Sequence, residues 1–328
     1  HAATSYAHPN FGTVQGLSAL KRDDVTRFYT AHYALDSILV GISASDKTLA
    51  DALQAALANV PMKSQAIMPA AAPEAVRGRK VVIISLPNAI STGLHAGFPL
   101  PLTRLDKDYW PLYVANVWFG THRDGFSHLY QVLRAERGYN YGDYSYIEHF
   151  EGRPANLFPP FNAPRRHQYF SVWARPVAHQ YAAHVARAIT WELENFARTG
   201  LNEEQCALSK NKARVLYLSL AETNERLLAS RIDDEFYGLK PGYLERYLKE
   251  IAGVSCAEVN AAIKKYLQAG NLKYVIVTNA AEARKIADRR TSWAAPTIQH
   301  TILNSRSFRA ASRARTTIWP TTSSWYGV

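Results

Sequence analysis

The sequence has few of the residues that build cross-linked or metal-stabilised small domains. Its 328 residues include two cysteines, Cys206 and Cys256. Two are too few for a disulfide framework or a cysteine-rich zinc site, and they leave the redox compartment open. No window approaches the roughly 20 apolar residues of a membrane-spanning helix, and no glycine-rich phosphate-binding loop occurs. We therefore expect neither a helical span nor a P-loop nucleotide site in this sequence.

Acidic residues are absent from the last part of the chain. From Arg289 to Val328 there are six arginines and no Asp or Glu, so this stretch supplies six of the net charge of +11. It shows no helical or alternating apolar period. We predict an irregular basic tail over 291–328. Such a tail is either a disordered end or non-native sequence, for example out-of-frame translation from near His300. Binding to phosphate or anionic lipid is a less favoured reading.

The rest of the chain predicts roughly two domains with both helices and strands. Hydrophobic residues make up 47% of the sequence, which is enough for packed cores. Helical and strand patterns alternate irregularly, and a proline- and alanine-rich stretch over 61–79 predicts a linker. After it, the strand Lys80–Leu86 is expected to pair with Gly93–Phe98. A helix capped by Asp106 should follow over Leu105–Phe119, and another over Gly125–Glu136.

Two helix–strand–helix units suggest an internal repeat. The helix Lys21–Tyr33 leads to a strand over 37–43, and the helix Cys256–Leu267 leads to a strand over 272–278; a constant offset of 234 aligns their apolar positions. If each unit closes an equivalent domain, about 150 residues are missing from the first copy, and its apolar face should be exposed. We therefore predict the C-terminal part of a truncated first domain at 1–60, the linker at 61–79 and a complete second domain at 80–290.

Three stretches resemble passages of the insulinase/pitrilysin family of zinc metallopeptidases, the group with an inverted H-x-x-E-H motif. The first is His8–Thr13 with the following helix that ends at Tyr33. The second, and the most specific, is Leu133–Gly142. The third is the helix start Gly200–Glu204. The resemblance covers roughly residues 6–290. It implies a pair of related α+β domains, each with an antiparallel sheet and helices on one face, in agreement with the repeat.

The resemblance also implies site residues. In active members the first domain holds zinc through the H-x-x-E-H motif, and the second domain contributes an Arg and a Tyr spaced R-x6-Y. Arg134 and Tyr141 have this spacing, whereas Arg137 does not. By resemblance, Tyr141 would donate its phenol O–H to the scissile carbonyl, and Arg134 would position the peptide backbone. From the residues alone, Arg134 could simply cap a helix end and Tyr141 could simply pack in a tyrosine-rich strand.

No H-x-x-E-H occurs in the sequence. His179 and His184 are five residues apart on a predicted helix, so they do not share a face as i,i+4 ligands do. We therefore expect this chain to bind no metal itself, although the complete family enzyme uses zinc. A zinc-bearing partner subunit or a missing N-terminal segment would have to supply it.

Three functions remain open. The favoured one is the substrate-binding half of a zinc metalloendopeptidase, inactive alone, which takes a peptide or small protein in a chamber between domains by addition to a sheet edge. The second is a non-catalytic partner or scaffold subunit of a heterodimeric peptidase, and the third is an anion- or nucleic-acid-binding protein. We expect no nucleic-acid partner. The compartment stays unknown, but the resemblance favours the periplasm or cell envelope, since many bacterial relatives are exported.

Overall fold

The computed structural model of the chain describes residues 11–43, 48–65, 71–150, 162–288 and 299–304. It divides into two compact units, one of Ala75–Ala310 and one of the remaining residues. The α+β class expected from the sequence is confirmed. Among the described residues, no helix has the length and apolar character needed to cross a membrane. The helices are α1 Val14–Ala19, α2 Arg22–His32, α3 Thr48–Leu57, α4 Tyr109–Gly120, α5 Ala182–Thr199, α6 Glu203–Leu220, α7 Asn224–Phe236, α8 Tyr243–Gly253, α9 Cys256–Tyr266 and α10 Ala280–Asp288; the strands are β1 Lys80–Ser85, β2 Thr92–Leu100, β3 Asn140–Tyr146, β4 Gln168–Val177, β5 Lys273–Thr278 and β6 Gln299–Asn304.

The smaller unit contains α1 to α3 and, in its described residues, no strand. The strand predicted over 37–43 is therefore wrong. The chain leaves α2 through a single 3-10 turn, Leu35–Ser37, in which the Ser37 hydroxyl donates to the carbonyl of His32 at 2.7 Å. A strand is stable only beside another strand, and no described segment of this unit offers one. The apolar pattern that predicted the strand is present, but the described residues of this unit contain no partner strand.

The larger unit is built on a six-stranded sheet in the order β3-β4-β2-β5-β1-β6. The three pairs from β3 to β5 are antiparallel, whereas β1 runs parallel to both of its neighbours. The predicted pairing of the first two strands is wrong, because β5 lies between β1 and β2. Both β1 and β5 are short runs rich in β-branched residues, which favour strands, and in each strand alternate residues are buried.

The strand β6 corrects the predicted tail. It extends the sheet beyond β1 in parallel register, from Lys80 opposite Gln299 to Ser85 opposite Asn304. The larger unit therefore continues past residue 290, and the chain is not irregular throughout 291–328. The prediction of non-native sequence from near His300 falls mainly on residues 305–328, and these lie outside the described residues.

One hydrophobic core lies between one face of this sheet and the helices. Alternate residues of the strands point into it, as the two-residue period of a strand requires. Helices α4, α5, α9 and α10 contribute their apolar faces. The largest fully buried side chains are Tyr109, Tyr247, Tyr274, Phe119, Phe170, Ile83, Leu94, Leu112, Leu129, Leu133, Ile189 and Leu193.

Local capping signals set several helix ends. Gly200 ends α5 with a positive φ of 65°, which a residue with a Cβ adopts only with strain. Asn202 and Ser255 each form a capping box with the residue three positions later. The prediction for α4 is wrong at its start: Asp106 caps a turn at Thr103, and the helix begins three residues later at Tyr109.

The two cysteines form a disulfide that joins α6 to α9. The Cα atoms of Cys206 and Cys256 are 5.7 Å apart, within the usual range for a bridge. The sequence excluded a disulfide framework but did not predict this single bond. The pairing depends on how two helices pack, and nothing in the local sequence around either cysteine reveals it.

A buried ion pair fixes the chain just beyond β3. Arg104 donates to both carboxylate oxygens of Glu148 at 2.9 and 3.0 Å, and the Tyr109 hydroxyl donates to the same carboxylate at 3.1 Å. Both members of the pair are almost completely buried. Removing one partner would leave a buried charge uncompensated, which is strongly destabilising. The pair therefore ties the end of β3 to α4, and β3 carries the predicted site.

Candidate functional site

The turn before β3 brings the predicted site residues together. The sequence predicts a helix over Gly125–Glu136, and the structure has a π-helical turn over Tyr130–Ala135 in its C-terminal part. Gly138 then takes a positive φ of 62°, and its N–H donates to the carbonyl of Arg134 at 2.9 Å. This is a glycine-terminated helix end of the usual kind. It reverses the chain so that the last helical turn lies against the first residues of β3.

Arg134 and Tyr141 are in direct contact. The guanidinium carbon of Arg134 lies 4.1 Å from the centre of the Tyr141 ring, and 4.9 Å from that of Tyr130. Its Nη1 donates to the backbone carbonyl of Tyr141 at 2.9 Å. Each cation–π contact of this exposed kind contributes about 0.5–1 kcal/mol. The R-x6-Y spacing therefore corresponds to a preformed pair.

The Tyr141 side chain faces solvent. It is 66% exposed, and its hydroxyl has no hydrogen-bond partner among the residues that the structure describes. A tyrosine that only packed in the core would be covered, as Tyr146 on the same strand is at 3% exposure. The geometry thus presents one free phenol beside one guanidinium.

Arg137 is held elsewhere. Its Nη1 donates to the carbonyl of Val132, and it pairs with Glu136 at 3.0 Å. These contacts keep the guanidinium on the helical turn. Of the two candidate arginines, only Arg134 is placed against Tyr141.

The outer edge of β3 is partly capped by side chains. The carbonyl of Tyr141 accepts from Arg134, and that of Ser145 accepts from the Asn116 amide at 3.1 Å. The Ser145 hydroxyl donates back to the Asn116 side chain at 2.7 Å. A peptide strand added at this edge would compete with these contacts, so edge addition here stays a prediction.

Sequence reasoning missed Asp143, the residue two positions after Tyr141. It is 0% exposed, and neither carboxylate oxygen has a hydrogen-bond partner among the described residues. Burial raises the pKa of Asp143 to about 7, while the charge of Arg134 and the nearby N–H of its own backbone act in the opposite direction. Nothing in the neighbouring sequence indicates that an aspartate in this tyrosine-rich strand is buried, so the burial of Asp143 could not be predicted.

The described histidines make structural contacts, and among them there is no zinc site. His122 contacts the Tyr146 hydroxyl at 2.6 Å, and His128 pairs with Glu192 at 2.8 Å. His179 lies 2.9 Å from the hydroxyl of Thr92. No three His, Cys, Asp or Glu side chains come together within the described part of the chain, and both cysteines are in the disulfide. These residues therefore do not fit a zinc ion.

Three imidazoles are held neutral by their surroundings. Burial lowers the pKa of His95, His122 and His149 to about 4, with neighbouring arginine charges acting in the same direction. His95 stacks on Trp173 with ring centres 4.9 Å apart. All three imidazoles belong to an aromatic surface on the face of the sheet opposite the core.

Comparison with known proteins places these features in a family. The model for the peptidase M16 inactive domain matches residues 19–213. An uncharacterized zinc protease of Mycobacterium tuberculosis is 24% identical over 263 residues, which cover 79% of this chain and 56% of that protein. The chain thus spans about half the length of the curated relatives that it matches.

Solved structures show the same fold. The peptidase M16 inactive domain from Pseudomonas fluorescens superposes with a TM-score of 0.66 at 18% identity, over 84% of this chain and 62% of that one. A protease from Helicobacter pylori gives a TM-score of 0.66 at 12% identity, over 81% and 61% respectively. At these identities the likeness concerns the fold alone.

Proposed function

The chain belongs to the peptidase M16 family, in the part described as its inactive domain, and from this premise we propose that it is the substrate-binding half of a zinc metalloendopeptidase. The observation that carries the proposal is the Arg134–Tyr141 pair, preformed and open to solvent. The described residues hold no zinc ligands in one place. The chain should therefore not hydrolyse peptides alone.

The pair can bind a peptide group in a defined orientation. The phenol O–H of Tyr141 donates to the scissile carbonyl oxygen as negative charge develops on it, and a donor of this kind stabilises the transition state more than the ground state. The Arg134 guanidinium, fixed by its contacts with two rings, donates charge-assisted hydrogen bonds to the peptide backbone. Zinc would come from outside the described residues of this chain and would activate the attacking water.

The smaller unit supports the need for a further segment or subunit. Phe11 is 92% exposed and Val14 is 84% exposed, and on α2 Val25 is 59% and Tyr29 56% exposed. Several exposed apolar side chains in so short a segment are typical of an interaction surface. We propose that a zinc-bearing segment or partner subunit covers it.

The disulfide supports an oxidising compartment. Structural disulfides persist in the periplasm and outside the cell and are rare in the cytosol. We therefore propose that the protein is located in the periplasm or cell envelope. Fractionation with the thiols blocked during lysis tests this, and a reduced protein in the cytosolic fraction would contradict it.

The central experiment reconstitutes activity. The purified chain is mixed with an H-x-x-E-H-bearing segment or subunit from the same organism, sought first in the nucleotide sequence upstream of the codon for His1. Cleavage of fluorescein-labelled casein should require both components and zinc. In the reconstituted enzyme Tyr141→Phe should lower turnover by about 10²–10³, as removal of one oxyanion donor does.

Tyr139→Phe is the matched control. Its ring packs against Tyr181 and His184, so the change removes a hydroxyl from the same turn and keeps the ring. It should leave turnover unchanged. Equal rates for Tyr141→Phe and wild type would refute the role of Tyr141. A stable complex without any cleavage would favour the non-catalytic partner subunit instead. Salt-sensitive nucleic-acid binding that survives deletion of 305–328, which leaves β6 in place, would favour the anion- or nucleic-acid-binding protein.

A further inference from the structure

A patch of aromatic side chains lies on the sheet face opposite the core. Tyr144 and Tyr146 of β3, Trp173 of β4 and the nearby Phe150 form a cluster of their own, separate from the main core. His95 of β2 stacks on Trp173 with the ring centres 4.9 Å apart. The peptide-binding pair proposed above uses none of these side chains, so it does not explain why the patch is there.

Arg175 is an exposed cation at this patch. Its guanidinium carbon lies 4.6 Å from the centre of the Trp173 ring, and the residue is exposed. Among the residues that the structure describes, no carboxylate pairs with it. A cation–π contact provides no oxygen acceptor for the five N–H donors of a guanidinium, so an incoming carboxylate can still accept two of them.

The place opposite Arg175 holds no acidic side chain. Gly142 occupies it in the register of β3 with β4, and the Tyr144 ring bends back towards that glycine, where a Cβ would lie 3.2 Å from the ring. Asp143 is the acidic residue of β3, but it is completely buried, and the alternation of the strand turns it to the other face. An aromatic ring therefore borders the place opposite Arg175.

The electrostatic character of this face is positive. Arg123, in the loop after α4, donates a hydrogen bond to Tyr144 and brings a second guanidinium. The charge of Arg175 acts on both His95 and His122, and burial together with this charge holds the pKa of each imidazole at about 4. A ligand side chain that reaches Arg175 therefore meets a positive charge beside neutral rings.

We propose that Arg175 is a specificity-determining residue: it binds the carboxylate of an acidic side chain of the peptide, while the methylene groups of that side chain pack on Trp173. This proposal rests on the proposed function and adds a substrate class to it, namely peptides with an Asp or Glu near the bound peptide group. The pair formed by Arg134 and Tyr141 binds backbone, and Arg175 reads a side chain.

The two places are close enough for one peptide. Gly142 follows Tyr141 and lies opposite Arg175, so the Cα atoms of Tyr141 and Arg175 are about 9 Å apart at most. Their side chains point to opposite faces, but β3 is the edge strand of the sheet, and a peptide held at Tyr141 can pass around that edge. Since an extended chain advances about 3.3 Å per residue, an acidic residue about three positions away reaches Arg175.

Two peptides of equal length test this on the full chain. Both are unstructured and fluorescein-labelled, and they differ only in carrying Glu or Gln at every third position. Fluorescence anisotropy at physiological salt follows their binding. The wild type should prefer the Glu peptide, and Arg175→Gln should reduce that preference about fivefold, the upper range for one solvent-exposed ion pair.

Arg214→Gln is the matched control. It removes the same charge from the same unit, but Arg214 is exposed on α6, where it donates to the Asn211 side chain at 3.1 Å. It should leave the preference for the Glu peptide unchanged. An undiminished preference in Arg175→Gln would overturn the proposal, and so would an equal fall in both variants, since that would show attraction by net charge alone.

A small ligand separates this proposal from the proposed function. N-acetylglutamate N-methylamide carries one side-chain carboxylate, and the glutamine analogue lacks it. The indole N–H resonance of Trp173, assigned from Trp173→Phe, should shift with the first compound and not with the second, and it should not shift in Arg175→Gln.

The outcomes differ for the two proposals. If neither peptide binds, the proposed function fails, and the Trp173 resonance still decides whether Arg175 binds a carboxylate; no shift would overturn that binding. If both peptides bind the wild type equally, the role of Arg175 fails and the proposed function stands.

Discussion

Acid should destabilise the larger unit through His95. Its imidazole lies on β2, stacked on Trp173 and near the charge of Arg175, and its pKa is lowered from 6.5 to about 4. A histidine whose pKa is lower in the folded chain contributes stability that is complete above the unfolded value of 6.5. That stability is lost as the pH falls from 6.5 towards 4. At pH 4.5 the loss from this one residue is about 2–3 kcal/mol, because each tenfold change in a proton-binding constant corresponds to roughly 1.4 kcal/mol.

The assay compares urea unfolding of the wild type and of His95→Phe at pH 7.5 and pH 4.5. Phenylalanine keeps a ring against Trp173 and removes the titrating group. The free energy of unfolding should fall less between the two pH values in the variant, by about 2–3 kcal/mol. Trp173→Phe is the control: it changes the same stack without removing a titrating group, so its pH dependence should match the wild type. The reasoning is refuted if His95→Phe loses as much stability in acid as the wild type does.

Three further predictions concern packing, cross-linking and the site. Gly97→Ala should destabilise the larger unit by about 1–3 kcal/mol in urea unfolding, because a Cβ there would collide with the carbonyl oxygen of Phe170 across the sheet; an unchanged midpoint would contradict this packing. Replacing both Cys206 and Cys256 by serine should cost about 2–4 kcal/mol, and reducing agent should then have no further effect on the variant. Tyr141→Phe should leave the unfolding midpoint at the wild-type value, since the hydroxyl has no partner among the described residues. The lower turnover expected of this variant would then not be caused by unfolding.

Local signals fix several helix ends. The capping boxes at Asn202 and Ser255 and the glycine after α5 act within one turn, so a few neighbouring residues determine them. The family resemblance named Arg134 and Tyr141 from their spacing, and the structure adds that the two side chains are in contact across a glycine-terminated turn.

Strand neighbours could not be predicted in the same way. β1 pairs with β5 and β6, which lie about 190 and 220 residues further along the chain. Any apolar run can pair with any other, and hydrogen bonds between backbones carry no sequence preference. The choice is made by which order of strands lets all the helices cover one face. The strand expected over 37–43 failed for the related reason that its unit offers no described partner strand.

The sequence by itself determined those features of this protein that depend on local patterns. They are its α+β class, most of its helices, the family resemblance and the Arg134–Tyr141 spacing. These depend on residues that are close along the chain, where short-range hydrogen bonds and apolar periodicity act. Only the tertiary structure decided the order of the strands, the Cys206–Cys256 bond and the burial of Asp143. Each of these depends on which distant segments exclude water from a given side chain, and that is settled only when the whole core packs together.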